Sequence, residues 1–176
     1  KDIKSIYKMK QIENFLTDNR FKEIQEVLMS SNFPYYRNEW VGTPDDITLT
    51  SLLTHSLVID GKKTDSYWQH LIMQPIINRL SNEHRIIKVI RSKINLYPYQ
   101  NEHMKSAYHI DQAEKHKVLL LSINTNNGYT EFENGSVFNA VENNAIIFDG
   151  AEGHRSVSQT DHSAKININV NYEVYK

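Results

Sequence analysis

The chain reads as a mainly β protein, a jelly roll with helices packed on one of its sheets. Three observations predict this. Apolar residues recur at helical spacing in the first third, and period-two alternation takes over from His84. Turns rich in Asn and Gly then punctuate the rest of the chain at near-even intervals. Helices first and a run of short strands afterwards suit a sandwich or barrel that carries its helices on one face.

Thr17 or Asp18 is placed to cap a helix through Phe21, Ile24, Val27 and Leu28, whose spacing makes one apolar stripe. Asn32-Phe33-Pro34-Tyr35-Tyr36 ends it, and Leu53 to Ile59 reads as a strand closed by Asp60-Gly61. A second helix is expected from Asp65, carrying Trp68, Leu71, Ile72, Ile76 and Leu80. Pro75 lies inside it and should kink it or begin a second piece. Next, Ile86, Ile90, Ile94 and Leu96 share one strand face, and Arg91, Lys93, Asn95 and Tyr97 share the other. Further strands are expected at 107–111, 117–124, 129–132, 136–141, 144–148, 154–159 and 164–174, separated by turns at Asn126-Asn127-Gly128, Asn134-Gly135 and Asn143-Asn144. In the last strand Ile166, Ile168, Val170, Tyr172 and Val174 must pack on protein. Its other face carries Lys165, Asn167, Asn169 and Asn171, and is either a solvent-facing edge or the wall of a ligand cavity.

At 176 residues a single domain is expected, helical or mixed over about 1–83 and a β core over about 84–176. A formal net charge of −1 gives no electrostatic case for nucleic acid or an anionic membrane. No apolar run approaches the ~20 residues of a membrane span, and the first twenty residues are too polar for a signal peptide. The chain begins at Lys1 rather than Met, so a short leader or disordered start is expected ahead of it. Without cysteine, disulfides and thiolate metal sites are excluded, and any metal must take N and O ligands. A cytoplasmic location fits, that of a host if the gene is viral.

His109-Ile110-Asp111 carries the chemistry. In a strand these residues, two apart, point to one side, so both can reach one ion. A second imidazole must come from another strand, and His154, which opens one, is preferred over His103, His116 and His162; His116 and His162 read as solvated turns. Two imidazoles and a carboxylate on one face of a metal leave the other face open, as in non-haem iron sites. Lys165, if turned into a cavity, is a buried cation that calls for an anionic partner such as a dicarboxylate.

Taken together these residues resemble the Fe(II)/2-oxoglutarate-dependent dioxygenases, and within them the prolyl-4-hydroxylase-like branch with its small phage and marine-bacterial members. The likeness runs from about Arg91 to Tyr172 through Leu96-Tyr97-Pro98-Tyr99, His109-Ile110-Asp111, the strand Leu119–Asn124, Gly128-Tyr129-Thr130-Glu131-Phe132, and His154 with Lys165-Ile166-Asn167-Ile168. It implies a double-stranded β-helix holding Fe(II) through His109, Asp111 and His154. By the same matching Lys165 would pair with the distal carboxylate of 2-oxoglutarate, and Tyr97 would hydrogen-bond the cosubstrate. Asn95 shares the Tyr97 face. Ser122 stands where related hydroxylases often have Tyr or Thr, and Asn167 or Asn169 could supply a missing hydrogen bond. O2 takes the remaining metal position, with ascorbate as a supporting reductant.

The implied activity is hydroxylation of an unactivated C–H, foremost on a peptidyl, prolyl-like side chain, with small molecules as further candidates. Tyr35, Tyr36, Trp40, Tyr99 and Arg155 are candidates for the substrate mouth. Two alternatives stay open: a cupin-like metal enzyme without 2-oxoglutarate, and a non-catalytic jelly-roll module. Base demethylation ranks low, because Asn169, Asn171 and Glu173 stand where such enzymes carry a second arginine.

Overall fold

A computed structural model of the chain describes residues 9–38, 52–113 and 115–175. The elements in order are β1 (Lys10–Ile12), α1 (Asp18–Leu28), β2 (Tyr36–Asn38), β3 (Leu52–Ile59), β4 (Lys62–Lys63), α2 (Gln69–Leu80), β5 (Ile86–Pro98), β6 (Lys117–Ser122), β7 (Tyr129–Phe132), β8 (Val137–Asn139), β9 (Ala145–Asp149), β10 (His154–Val157) and β11 (Ala164–Val174). They form two antiparallel sheets. The larger runs β1-β9-β6-β11-β5-β3-β2 with β4 added to β3, and the smaller runs β10-β7-β8.

The apolar run Val118-Leu119-Leu120-Leu121 shows why the layers stack. Every residue of β6 is buried, so both of its faces are covered. Leu119 and Leu121 join the helix-side core with Phe21, Ile24 and Leu28 of α1 and Ile72, Met73, Ile76 and Leu80 of α2. Val118 and Leu120 face the other way, onto Phe132 and Phe138 of the small sheet. β11 divides likewise: Ile166, Ile168, Val170 and Tyr172 lie in the helix-side core. Its polar face is buried too, with Lys165, Asn167, Asn169 and Asn171 all at 6 % exposure or less. That stripe is therefore interior wall, not a solvent edge.

Several boundaries differ from the sequence expectation. α2 begins at Gln69 rather than Asp65, because Ser66 Oγ accepts the Trp68 N–H just ahead of it and already binds His55 Nε2. It continues through Pro75 as one element, and its core stripe includes Met73. Ile90 lies at a bulge: β11 passes from Arg91 to Val89 between Asn171 and Tyr172, which gives Val89 the core-side position expected of Ile90. The segment 107–111 is no strand. It meets β10 through the isolated bridge His109↔His154 and through Arg155 lying over the Tyr108 ring, and a second isolated bridge, Lys105↔Val157, falls just ahead of it.

Asp60 and Gly61 both have positive φ, at 49° and 74°, and turn β3 tightly into β4. Asn143, at φ 58°, also uses its side chain, receiving the Leu16 N–H at 3.0 Å and donating to the Leu16 carbonyl at 2.9 Å. The start of α1 is thereby tied to the β6–β9 end of the large sheet. Among the described residues no helix is long and apolar enough to cross a membrane.

Candidate metal centre

A cavity of about 170 Å³ opens where the two sheets meet. β5 supplies Arg91, Lys93, Asn95 and Tyr97, and β11 supplies Asn167 and Asn169. The strand register sets these in facing pairs: Tyr97 with Lys165, Asn95 with Asn167, Lys93 with Asn169, and Arg91 with Asn171. Thr130, His154 and Ser156 close the small-sheet side, and His109 and Asp111 enter from the irregular segment ahead of β6.

His109 and His154 are ladder partners, each backbone N–H donating to the other's carbonyl at 3.0 Å. That bridge puts both rings on one side, their centres 4.7 Å apart. His109 Nδ1 lies 3.2 Å from the Ala107 carbonyl and His154 Nδ1 lies 3.1 Å from that of Glu152. A carbonyl cannot donate, so each Nδ1 carries a proton, which sets the tautomer whose Nε2 can offer a lone pair to an ion. Both Nε2 atoms face the same oxygen, Asp111 Oδ1, at 4.0 Å. The three ligand atoms lie within 4.8 Å of one another.

Lone pairs and a carboxylate converging in this way repel unless a cation stands among them. Two imidazole nitrogens and one carboxylate oxygen fit a divalent transition ion.

The carboxylate is itself oriented. Asp111 Oδ2 accepts the amides of Asn169 and Asn171, each at 2.9 Å, and Oδ1 is turned toward the two histidines and Arg91. Arg91 Nη2 sits 2.8 Å from Oδ1, and Arg91 Nε donates to Asn171 Oδ1. Burial pushes the Asp111 carboxyl up, but Arg91, His154 and the two amides outweigh it and hold the group well below the usual carboxylate range. Burial beside Phe132 and Phe148 lowers His154, against the pull of Asp111, and so keeps the ring neutral and able to ligate. Burial and then Arg91 bring the Lys93 ammonium down to about 8.

Lys165 stands behind the wall formed by Ser156 and Tyr97. Its Nζ donates to Ser156 Oγ at 2.7 Å and to the Val157 carbonyl at 2.6 Å, and lies 4.5 Å from the centre of the Tyr97 ring. The cation thus rests on neutral protein oxygens, which corrects the expectation that only an anion could hold it there. Burial lowers it to about 7.

No protein-family profile and no curated protein matches the sequence. Solved structures do. A prolyl hydroxylase from Trichoplax adhaerens, in complex with a hypoxia-inducible-factor peptide fragment, superposes with TM-score 0.67 at 13% identity, over 95% of this chain and 84% of that one. A Pseudomonas putida prolyl-4-hydroxylase gives TM-score 0.63 at 11% identity, over 97% and 95%. The fold is that of the Fe(II)- and 2-oxoglutarate-dependent oxygenases. An α-ketoglutarate-dependent carbocyclase from nogalamycin biosynthesis shares it too, with TM-score 0.63 at 13% identity over 94% of this chain and 79% of that one. In this double-stranded β-helix setting, His109, Asp111 and His154 meet between the two sheets.

Other expected residues have different surroundings. Asn169 donates its amide N–H to Asp111, and its Oδ1 stays on the cavity wall without a partner. Asn167 accepts from the Asn95 amide on the cavity wall. Ser122 lies with Lys165 around a separate small void. Tyr35 is a packing residue whose hydroxyl donates to the Leu28 carbonyl, and Tyr36 borders a different groove with His55. Trp40 is outside the described residues. Arg155 pairs with Glu131 and covers the Tyr108 ring, while Tyr99 is half exposed. His116 is buried against Gly150 rather than solvated, and His162 pairs with Asp161 in an exposed turn. Sequence reasoning gave no role to Asn171, Arg91, Thr130 or Ser156. The alternation of β5 and β11 already put the first two on the cavity side.

Proposed function

We propose that this chain is an Fe(II)- and 2-oxoglutarate-dependent oxygenase that hydroxylates a C–H bond. One observation carries the proposal: two imidazole lone pairs and an oriented carboxylate oxygen converge at a cavity wall in this fold. His109, Asp111 and His154 would hold the metal, with Asn169 and Asn171 fixing which oxygen of Asp111 faces it. Tyr97, Asn95, Asn167 and Ser156 line the way from there toward Lys165, which is the proposed anchor for the distal carboxylate of the cosubstrate. Lys165 would then exchange protein acceptors for that carboxylate, and Ser122, which shares the small void beside Lys165, is a further candidate to receive it. When bound, the iron and keto acid supply the oxidising chemistry, in which R–H, O2 and 2-oxoglutarate become R–OH, succinate and CO2.

A peptidyl side chain is the favoured substrate, supported by the neighbour solved with a peptide fragment. The same fold serves a carbocyclase, so small molecules remain the second class. The test is succinate formation with 2-oxoglutarate, Fe(II), ascorbate and oxygen, expected to proceed slowly even without the primary substrate. Succinate that depends on Fe(II) and disappears in Asp111→Ala is expected. Bound metal and cosubstrate without succinate, across a broad peptide and metabolite panel, would favour a binding module.

A further inference from the structure

Resting on that reading, the geometry points to a primary substrate that carries a carboxylate, recognised by Lys93 with Arg91 behind it. Lys93 lines the cavity, and among the described residues it makes no hydrogen bond or ion pair. Arg91 lines the same wall on the same strand face, committed to Asp111 on one side. Two further polar atoms of this wall are buried without partners: Asn95 Oδ1 and Asn169 Oδ1. Asn169 faces Lys93 across the β5–β11 ladder, and Asn95 is two residues along the Lys93 strand.

Charge counting decides between a neutral and an anionic guest. Arg91, Lys93 and Lys165 bring three positive charges to this end of the molecule, and Asp111 returns one negative. A ferrous ion and the doubly negative cosubstrate cancel each other. Two positive charges are then left, in a pocket where Lys165 has already taken the distal carboxylate and Arg91 the metal ligand. Uncompensated charge in a partly dry cavity is costly, and one carboxylate on the substrate, set against Lys93, halves it. The unpartnered carbonyl oxygens beside Lys93 can accept N–H groups, which suits an acidic residue within a peptide better than a bare inorganic anion.

The test uses the full chain loaded with Mn(II) and 2-oxoglutarate without oxygen, so that binding is read apart from turnover. Two pools of random heptapeptides are compared, one with Asp or Glu fixed at the centre and the other with Asn or Gln. The acidic pool should be retained about ten- to a hundredfold better, as a charge-assisted hydrogen bond allows. Lys93→Gln should erase that preference with 2-oxoglutarate affinity kept, and Lys93→Arg should restore it. Equal retention of the pools by loaded wild type overturns the inference and leaves the oxygenase reading standing. A Lys93→Gln variant that loses cosubstrate affinity instead assigns the lysine to the keto acid and also overturns it. Wild type that binds neither Mn(II) nor 2-oxoglutarate overturns the oxygenase reading and this inference with it.

Discussion

Lys165 is a buried ammonium resting on a hydroxyl and a carbonyl, moved by burial from its ordinary 10.5 down to about 7. Between those two values the unfolded chain keeps a proton that the folded chain has shed. Stability of the ligand-free protein therefore rises with pH through that window. A dicarboxylate reaching Nζ favours the charged form, so 2-oxoglutarate binding at pH 8 is expected to take up a proton. Calorimetry in two buffers of different ionisation enthalpy measures the uptake, and Lys165→Gln should remove it. Equal heats in both buffers, with binding intact, would show that another group anchors the cosubstrate. At this scale spacing along the chain pointed to His109, Asp111 and His154, because ligands must share a face. It could not show Arg91 or Asn171 on Asp111, a contact made across the sheet by residues 20 and 60 positions away.

The strand β11 does two jobs on its two faces, and they are separable by mutation. Ile168 is fully buried in the helix-side core. Ile168→Ala should cost about 2–5 kcal/mol in denaturant unfolding, as a cavity in a packed core does. Asn171 instead orients a ligand carboxylate, so Asn171→Ala should weaken Mn(II) binding about ten- to a hundredfold. Equal metal affinity in Asn171→Ala and wild type would rule out the orienting role. Most elements were legible because their patterns are local: the apolar stripe of α1, the continuous run of β6, the alternation of β11. The segment 107–111 alternates as well, yet it is held by a single bridge to β10 at His109 and by Arg155 over the Tyr108 ring, contacts that no local pattern encodes. The start of α2 was misplaced for a similar reason, since Ser66 accepts the Trp68 N–H from outside the apolar stripe.

Across the whole molecule, charge is distributed in a way that totals conceal. The chain is nearly neutral, at −1, while its cavity end concentrates Arg91, Lys93 and Lys165 against a single Asp111. Composition therefore spoke to outside partners and was silent about the interior. The large sheet is also the shared wall of two compartments, an apolar one under α1 and α2 and one facing β10, β7 and β8 that holds both the polar cavity and a smaller apolar cluster.

The mutual backbone bridge between His109 and His154 has a consequence for motion. The loop that brings His109 and Asp111 is moored along β10 from Met104 to His109, bonded in turn to Ser158, Ser156 and His154. An ion gripping both imidazoles would act as a clasp on that mooring, tightening a joint some distance from any helix. Amide exchange at His109 and His154 should then slow on adding Mn(II), while exchange at Leu119 and Val170, already locked in the sheet, should hardly change. Unaltered exchange at the two histidines with metal bound would mean that the loop is rigid before the ion arrives. A slowed rate would make ion loading and loop ordering a single event, so that the site would be finished by the ion it receives.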